Sequence, residues 1–262
     1  MAKIRILVSL TTSDNDYQVE QAQSAEQAAS KLGVTAEIIY ANNDAINQST
    51  QILRAIQAST EDRPNAIVFE PVGGTALPQV ARAAAAADIG WAVLNRDANY
   101  IEDLRKTSAA AIFAISSDHA EIGRIQGRQF AAMLPRGGAV LYIQGPSENS
   151  AAKERTLGMQ ETKPANIQII ALRGQWTEES AQRAVRSWLK LPFTGCDGLP
   201  KTGQTWVRSG LLAATVFVPP NTGQAIEMFV QAIQQKKPAP ERVFTVPTSI
   251  PPLSALKPVR IA

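Results

Sequence analysis

Several short stretches of the chain gather amide, carboxylate, guanidinium and aromatic side chains, and each directly follows a run of aliphatic or β-branched residues. Asp14, Asn15, Asp16, Tyr17 and Gln18 follow the run over 4–10. Glu70, Gly73 and Gly74 follow the run over 66–69, and Asn95, Arg96 and Asp97 follow 91–94. Further on come Gln144, Ser147 and Asn149, with Lys153 and Arg155 about a turn later, then Gln175 and Trp176, then Asp197. Amides and carboxylates present paired donors and acceptors, a guanidinium presents a planar fork of donors, and an indole presents a flat apolar plate. That set suits recognition of a hydroxyl-rich small molecule, whose hydroxyls both donate and accept and whose C–H face rests on an aromatic ring.

Bond-making chemistry has no comparable support. His119 is the only histidine and Cys196 the only cysteine. No serine or cysteine motif accompanies His119, so it reads as a first-turn helix residue. Cys196 reads as a small buried hydrophobe. The pair Gly73-Gly74 lacks the spacing of a dinucleotide fingerprint and reads as a turn, and no phosphate loop occurs. A single cysteine allows neither an intrachain disulfide nor a cysteine metal cluster. The sequence therefore predicts no catalytic residues, no metal and no cofactor. The competing reading makes Asp14, Asp16 and Asn149 helix caps and Arg96 and Arg155 surface ion pairs.

Hydropathy patterning supplies the elements that would position these groups. Short aliphatic runs alternate with longer helical segments, the pattern of parallel-sheet α/β proteins. Strands are predicted over 4–10, 35–40, 66–69, 91–94 and 111–115. Helices over 17–32, 46–59 and 77–87 lie between them; Ile46, Ile52, Leu53 and Ile56 form the apolar stripe of the second. The pattern restarts at Ser116-Ser117-Asp118. Helices over 119–133, 150–162, 178–190 and 222–235 then alternate with strands over 139–144, 167–172, 193–196 and 213–218. A proline-rich tail carries one more strand over 243–246. Trp91 reads as core within a strand, and Trp188 and Trp206 as packing residues. In open parallel sheets ligands bind beyond the carboxyl ends of the strands, where the polar loops described above fall.

Composition fits a soluble globular chain. Of 262 residues 45% are hydrophobic and 19% charged, and the formal net charge of +3 is scattered without a basic run, which argues against a nucleic-acid partner. No stretch is long enough to insert in a membrane. The first apolar run is too short for a signal peptide, so the chain reads as cytoplasmic, or as exported with its leader removed.

The same residues carry a resemblance. The chain resembles the sugar-binding proteins of the ribose-binding type (the type I periplasmic binding proteins), relatives of the ligand domains of lactose-repressor-type regulators. Asp14-Asn15-Asp16-Tyr17-Gln18 resembles the segment opening the family's first helix, and Leu94-Asn95-Arg96 its aspartate-arginine pair. Ser117-Asp118 with Gly123 and Gly127, Ser150 to Arg155, Gly195-Cys196-Asp197-Gly198 and Leu212 to Val216 resemble further segments in order along nearly the whole chain. The resemblance implies two doubly wound parallel-sheet lobes joined by a multi-strand hinge. It assigns 1–116 with 221–248 to one lobe and 117–220 with 249–262 to the other.

It places Asn15, Tyr17, Gln18, Asn95 and Arg96 on the first lobe's binding face and Arg155, Trp176 and Asp197 on the second's, with a monosaccharide or polyol held in the cleft on hinge closure. The implied partner is a membrane permease or a sensor protein, and the implied location periplasmic. An alternative is the effector domain of a repressor-like regulator without its DNA-binding module; a third is an enzyme on a similar sheet. Three departures stand out. Asn95 replaces a carboxylate. Val218 stands where ribose binders carry a ligand-contacting glutamine. Between Leu191 and Pro192 about thirty residues of the family pattern are absent, roughly one βα unit. Either the lobe has been rebuilt, or a segment is omitted from the sequence.

Overall fold

The computed structural model describes residues 4–73, 76–96, 98–147, 149–185 and 194–258. In chain order the elements are β1 (Arg5–Leu10), α1 (Asp16–Leu32), β2 (Thr35–Tyr40), α2 (Ala45–Gln57), β3 (Ala66–Phe69), α3 (Pro78–Ala86), β4 (Gly90–Leu94), α4 (Ile101–Thr107) and β5 (Ile112–Ser117). There follow α5 (His119–Met133), β6 (Gly138–Gln144), α6 (Ser150–Thr162), β7 (Ile167–Arg173), α7 (Glu178–Val185), β8 (Thr194–Gly195), α8 (Gly203–Arg208) and β9 (Ala214–Phe217). The chain closes with α9 (Thr222–Gln235), β10 (Arg242–Thr245), β11 (Thr248–Ile250) and a 3-10 turn at Leu253–Ala255. Two compact units result. The first combines Met1–Ser116 with Pro220–Thr245, the second Ser117–Pro219 with Val246–Ala262.

The first unit is a six-stranded sheet in the order β10-β5-β4-β3-β1-β2. Its β1 to β5 pairings are parallel, with Ile6 against Ala36 and Ala66, and Val68 against Ala92. Alternate strand residues feed two apolar layers, as the period of a strand requires. Ile6, Val8, Leu10, Val68, Leu94 and Phe113 pack under α1 and α9, where Phe113 meets Phe229 at 4.8 Å. Leu7, Ile67, Phe69, Trp91 and Val93 pack under α2 and α3, where Phe69 meets Trp91 at 4.5 Å. The Trp91 indole N–H finds the Tyr100 hydroxyl at 3.1 Å, and that hydroxyl donates to the Ala76 carbonyl. Burial holds the Tyr100 hydroxyl above its ordinary pKa.

In the second unit β6 pairs β7 in parallel over Gly138–Gln144, while β9 lies between β8, parallel, and β11, antiparallel. Among the described residues these form two separate sheets. Among the described residues Phe130, Tyr142, Met159 and Ile167 form one buried cluster of this unit, and Ala214 and Val216 of β9 are buried as well. Helices α5 and α6 pack backbone to backbone. A Cβ on Gly123 would stand 2.0 Å from the Arg155 carbonyl oxygen, and one on Gly158 2.0 Å from that of Ala120. Only glycine permits that approach.

Some expectations need correction. Ile46 does not join the α2 stripe; it is 79% exposed at the first turn, leaving Ile52 and Ile56 to bury the helix. Trp206, on the six-residue α8, is 46% exposed rather than packed. Cys196 is half-buried, its sulfur drawn to a guanidinium. The sequence reading passes over α4, α8 and β11. Gly74, Asp97, Trp188, the end of the expected helix at 190, Phe193 and the Leu191–Pro192 junction lie outside the described residues.

Candidate functional site

The polar loops gather into one face on each unit, at the carboxyl ends of the parallel strands. On the first unit the anchor of α1 is Asn15. Its extended backbone and its Oδ1, accepting from the backbone N–H of Tyr17 at 2.9 Å and of Gln18 at 3.3 Å, make it the N-cap, a role the competing reading gives to Asp14 or Asp16. Asp16 instead lies in the first turn, where a carboxylate complements the helix dipole. Tyr17 is half-buried beside it.

Gln18 is buried and works in two directions. Its Oε1 accepts from the Thr11 backbone N–H at 3.1 Å, and its Nε2 donates to Glu70 Oε2 at 3.1 Å. Asn95, at the end of β4, is 4% exposed and holds φ at 54°. Its Nδ2 donates to the same Glu70 oxygen at 3.3 Å and its Oδ1 accepts from Asn221 Nδ2 at 2.8 Å. Arg96 Nη1 donates to the Asn95 carbonyl at 2.7 Å. Behind them Gln21 Nε2 donates to Asn221 Oδ1 at 2.7 Å, and Gln21 Oε1 accepts from the Asn221 backbone N–H at 2.8 Å. Four expected residues, Asn15, Gln18, Asn95 and Arg96, are thus linked through local and network bonds. Glu70, Gln21 and Asn221 are additional members. Glu70 has a legible signal in the sequence, its place immediately after a strand; Gln21 and Asn221 lie two hundred positions apart and carry none.

On the second unit Arg155 is the hub. Its side chain is 11% exposed. Nε donates to His119 Nδ1 at 3.3 Å, and Nη1 donates to Cys196 Sγ at 3.1 Å and to Asp197 Oδ1 at 3.3 Å. Its guanidinium carbon stands 5.4 Å from the centroid of the Trp176 ring, within cation–π range. The indole also closes on Gly145, where a Cβ would lie 2.1 Å from Trp176 Cζ2. Trp176 nevertheless remains 42% exposed. Burial of the sulfur pushes the Cys196 thiol up to about 12, against the pull of the Arg155 charge. Asn149 caps α6 by accepting from the Ala152 N–H at 3.3 Å, which sets the turn from which Arg155 projects.

Asn95, Trp176 and Asp197 hold φ at 54°, 61° and 68°. Left-handed backbone costs a non-glycine residue about 1 kcal/mol or more, and such residues concentrate where a side chain must be aimed. Among the described residues no group of histidine, cysteine and carboxylate side chains could hold a metal, and no helix is long and apolar enough to cross a membrane. What both faces offer is a fixed array of hydrogen-bonding groups, with an aromatic plate on one.

An α/β chain that winds through two parallel-sheet units, each with such a face, has the fold of the type I periplasmic binding proteins. The chain belongs to the family described as periplasmic binding protein domain, which matches residues 6–199. It is 27% identical over 166 residues to the ribose import binding protein of Escherichia coli (strain K12), covering 63% of this chain and 52% of that one. To the ribose import binding protein of Salmonella typhimurium it is 25% identical over 248 residues, covering 82% and 79%. The first match therefore spans about half the length of that relative. Among solved structures, the Caulobacter myo-inositol binding protein bound to myo-inositol superposes with a TM-score of 0.77 at 18% identity, over 95% of this chain and 93% of that one.

Proposed function

We propose that the protein binds a small polar ligand, a sugar or related polyol, through these two faces, and that it delivers the ligand to a membrane permease or reports it to a sensor protein without making or breaking a bond. The observation that carries the reading is that each unit bears a rigid polar array. One is built on Gln18, Asn95 and Arg96, the other on Arg155, Trp176 and Asp197. Both stand at strand ends, and the chain's relatives are named for ribose and myo-inositol. Asn15 and Tyr17 complete the first array. A periplasmic location follows from the same kinship. We also read the second unit as one βα unit shorter than its relatives between Leu191 and Pro192; in support, β6 and β8 each have a single strand neighbour among the described residues.

Thermal unfolding of the purified protein against monosaccharides, polyols and purine nucleosides tests the reading. A binder raises the melting temperature of the folded state by mass action. The expected result is a shift with one sugar or polyol that shrinks in Trp176→Ala and in Arg96→Ala. A shift only with nucleosides, or consumption of the ligand during the assay, overturns it.

A further inference from the structure

One carboxylate in the first unit has an oxygen to which no described residue donates. Glu70 is 7% exposed at the end of β3. Both hydrogen bonds to its carboxylate, from Gln18 Nε2 and Asn95 Nδ2, are donated by neutral amides, and both fall on Oε2. No described residue donates to Oε1, and Glu70 forms no ion pair with a described residue. The nearby guanidinium of Arg96 is directed to the Asn95 carbonyl.

The amides form a chain with one direction. Gln21 donates to Asn221, Asn221 to Asn95, and Asn95 to Glu70. Each amide turns its N–H₂ toward the next acceptor, and the chain terminates on the carboxylate. Such a chain polarises every member in the sense that favours negative charge at its end. Asn95 is consumed at both ends by this chain, so it acts as a positioning residue, and the acceptor oxygens the face presents belong to Glu70. A carboxylate with so little exposure favours a cationic partner, and among the described residues no side chain forms an ion pair with Glu70.

We propose that the ligand supplies the cation: the site takes a sugar or polyol bearing a protonated amine, with Glu70 as the residue that selects it. This inference rests on the binding reading above and narrows its ligand class to amino-sugars and amino-polyols.

The test is isothermal titration calorimetry at mildly acid pH, on protein freed of copurified ligand, with matched neutral and amino pairs: glucose and glucosamine, galactose and galactosamine, myo-inositol and an amino-deoxy-inositol. The expected result is an amino compound binding about tenfold or more tighter than its neutral twin, the size of a charge-assisted hydrogen bond. That preference should collapse in Glu70→Gln, with thermal unfolding confirming that the variant folds. Should the variant not fold, the wild-type comparison decides by itself. A neutral twin that binds as tightly as its amine, or tighter, overturns the inference and leaves sugar binding standing. Binding of no compound from either set overturns both.

Discussion

The two units solve one problem, presenting polar groups at strand ends, with different materials. In the first, a continuous six-stranded sheet buries whole strands: all four residues of β3 and all five of β4 are buried. Its polar face is held by neutral amides that are themselves buried. In the second, Tyr142 is the one buried residue of β6, although three of the four residues of β9 are buried, and the face is held by charge: Arg155 with Asp197 and Trp176, and nearby Glu121 with Arg124 and Arg128. The difference teaches that such a face can be secured by buried amides or by charge. On the first unit buried strands lead into the loops and fix them, whereas on the second the described groups are held by close helix packing and ion pairs, which salt and pH can weaken.

The sharpest way to break this contrast is through the cores. Phe229→Ala removes a fully buried ring that fills the space between Phe113 and Gly90, and should cost the first unit about 3–5 kcal/mol. Urea unfolding followed by hydrogen exchange checks it; a loss spread evenly over both units would contradict the division. Next in size, Gly123→Ala must push α6 away from α5, costing about 1–3 kcal/mol of strain. Exchange protection should fall in α5 and α6 while the first unit stays unchanged.

Asn221→Ala cuts the amide chain and leaves Asn95 Oδ1 and Gln21 Nε2 without these partners, at about 1–3 kcal/mol. Thermal unfolding should show the loss, and ligand affinity should fall with it. An effect on stability alone would mean that the chain braces the fold without aiming Glu70.

The smallest effect belongs to Glu121. Burial would raise its pKa, yet hydrogen bonds from Arg124 and Arg128 hold it below the ordinary glutamate value. Its stabilisation is therefore full above that ordinary value and is lost as pH falls through the lowered one. After solvent screening it amounts to at most about 1 kcal/mol. Wild type and Glu121→Gln should differ in melting temperature at neutral pH and converge in acid.

Legibility in the sequence follows the same line between local and distant causes. β2 and β3, and helices α5, α6 and α9, are readable to the residue because alternating or helical apolar spacing and flanking cap or turn residues lie side by side. Seven-residue α4 starts without a side-chain cap, and three-residue β11 exists only by pairing with β9, so neither leaves a local pattern. Ile46 has the right spacing for the α2 stripe but stands in the first turn, beyond the reach of the sheet. Among candidate site residues, loop position and residue type bring Gln18, Asn95, Arg155, Trp176 and Asp197 into view, and the family resemblance assigns them to binding faces. They do not show that Asn95 is spent on its neighbours, or that Arg155 draws His119 and Cys196 to itself, because those partners come from other loops.

The account stands or falls on whether both faces serve one ligand. Calorimetric titration of the best-binding sugar or polyol into wild type, Arg96→Ala and Arg155→Ala measures this directly. The prediction is one site per chain, with affinity reduced about tenfold or more by either substitution. Unchanged affinity in one of the two folded variants, or two independent sites per chain, would contradict it.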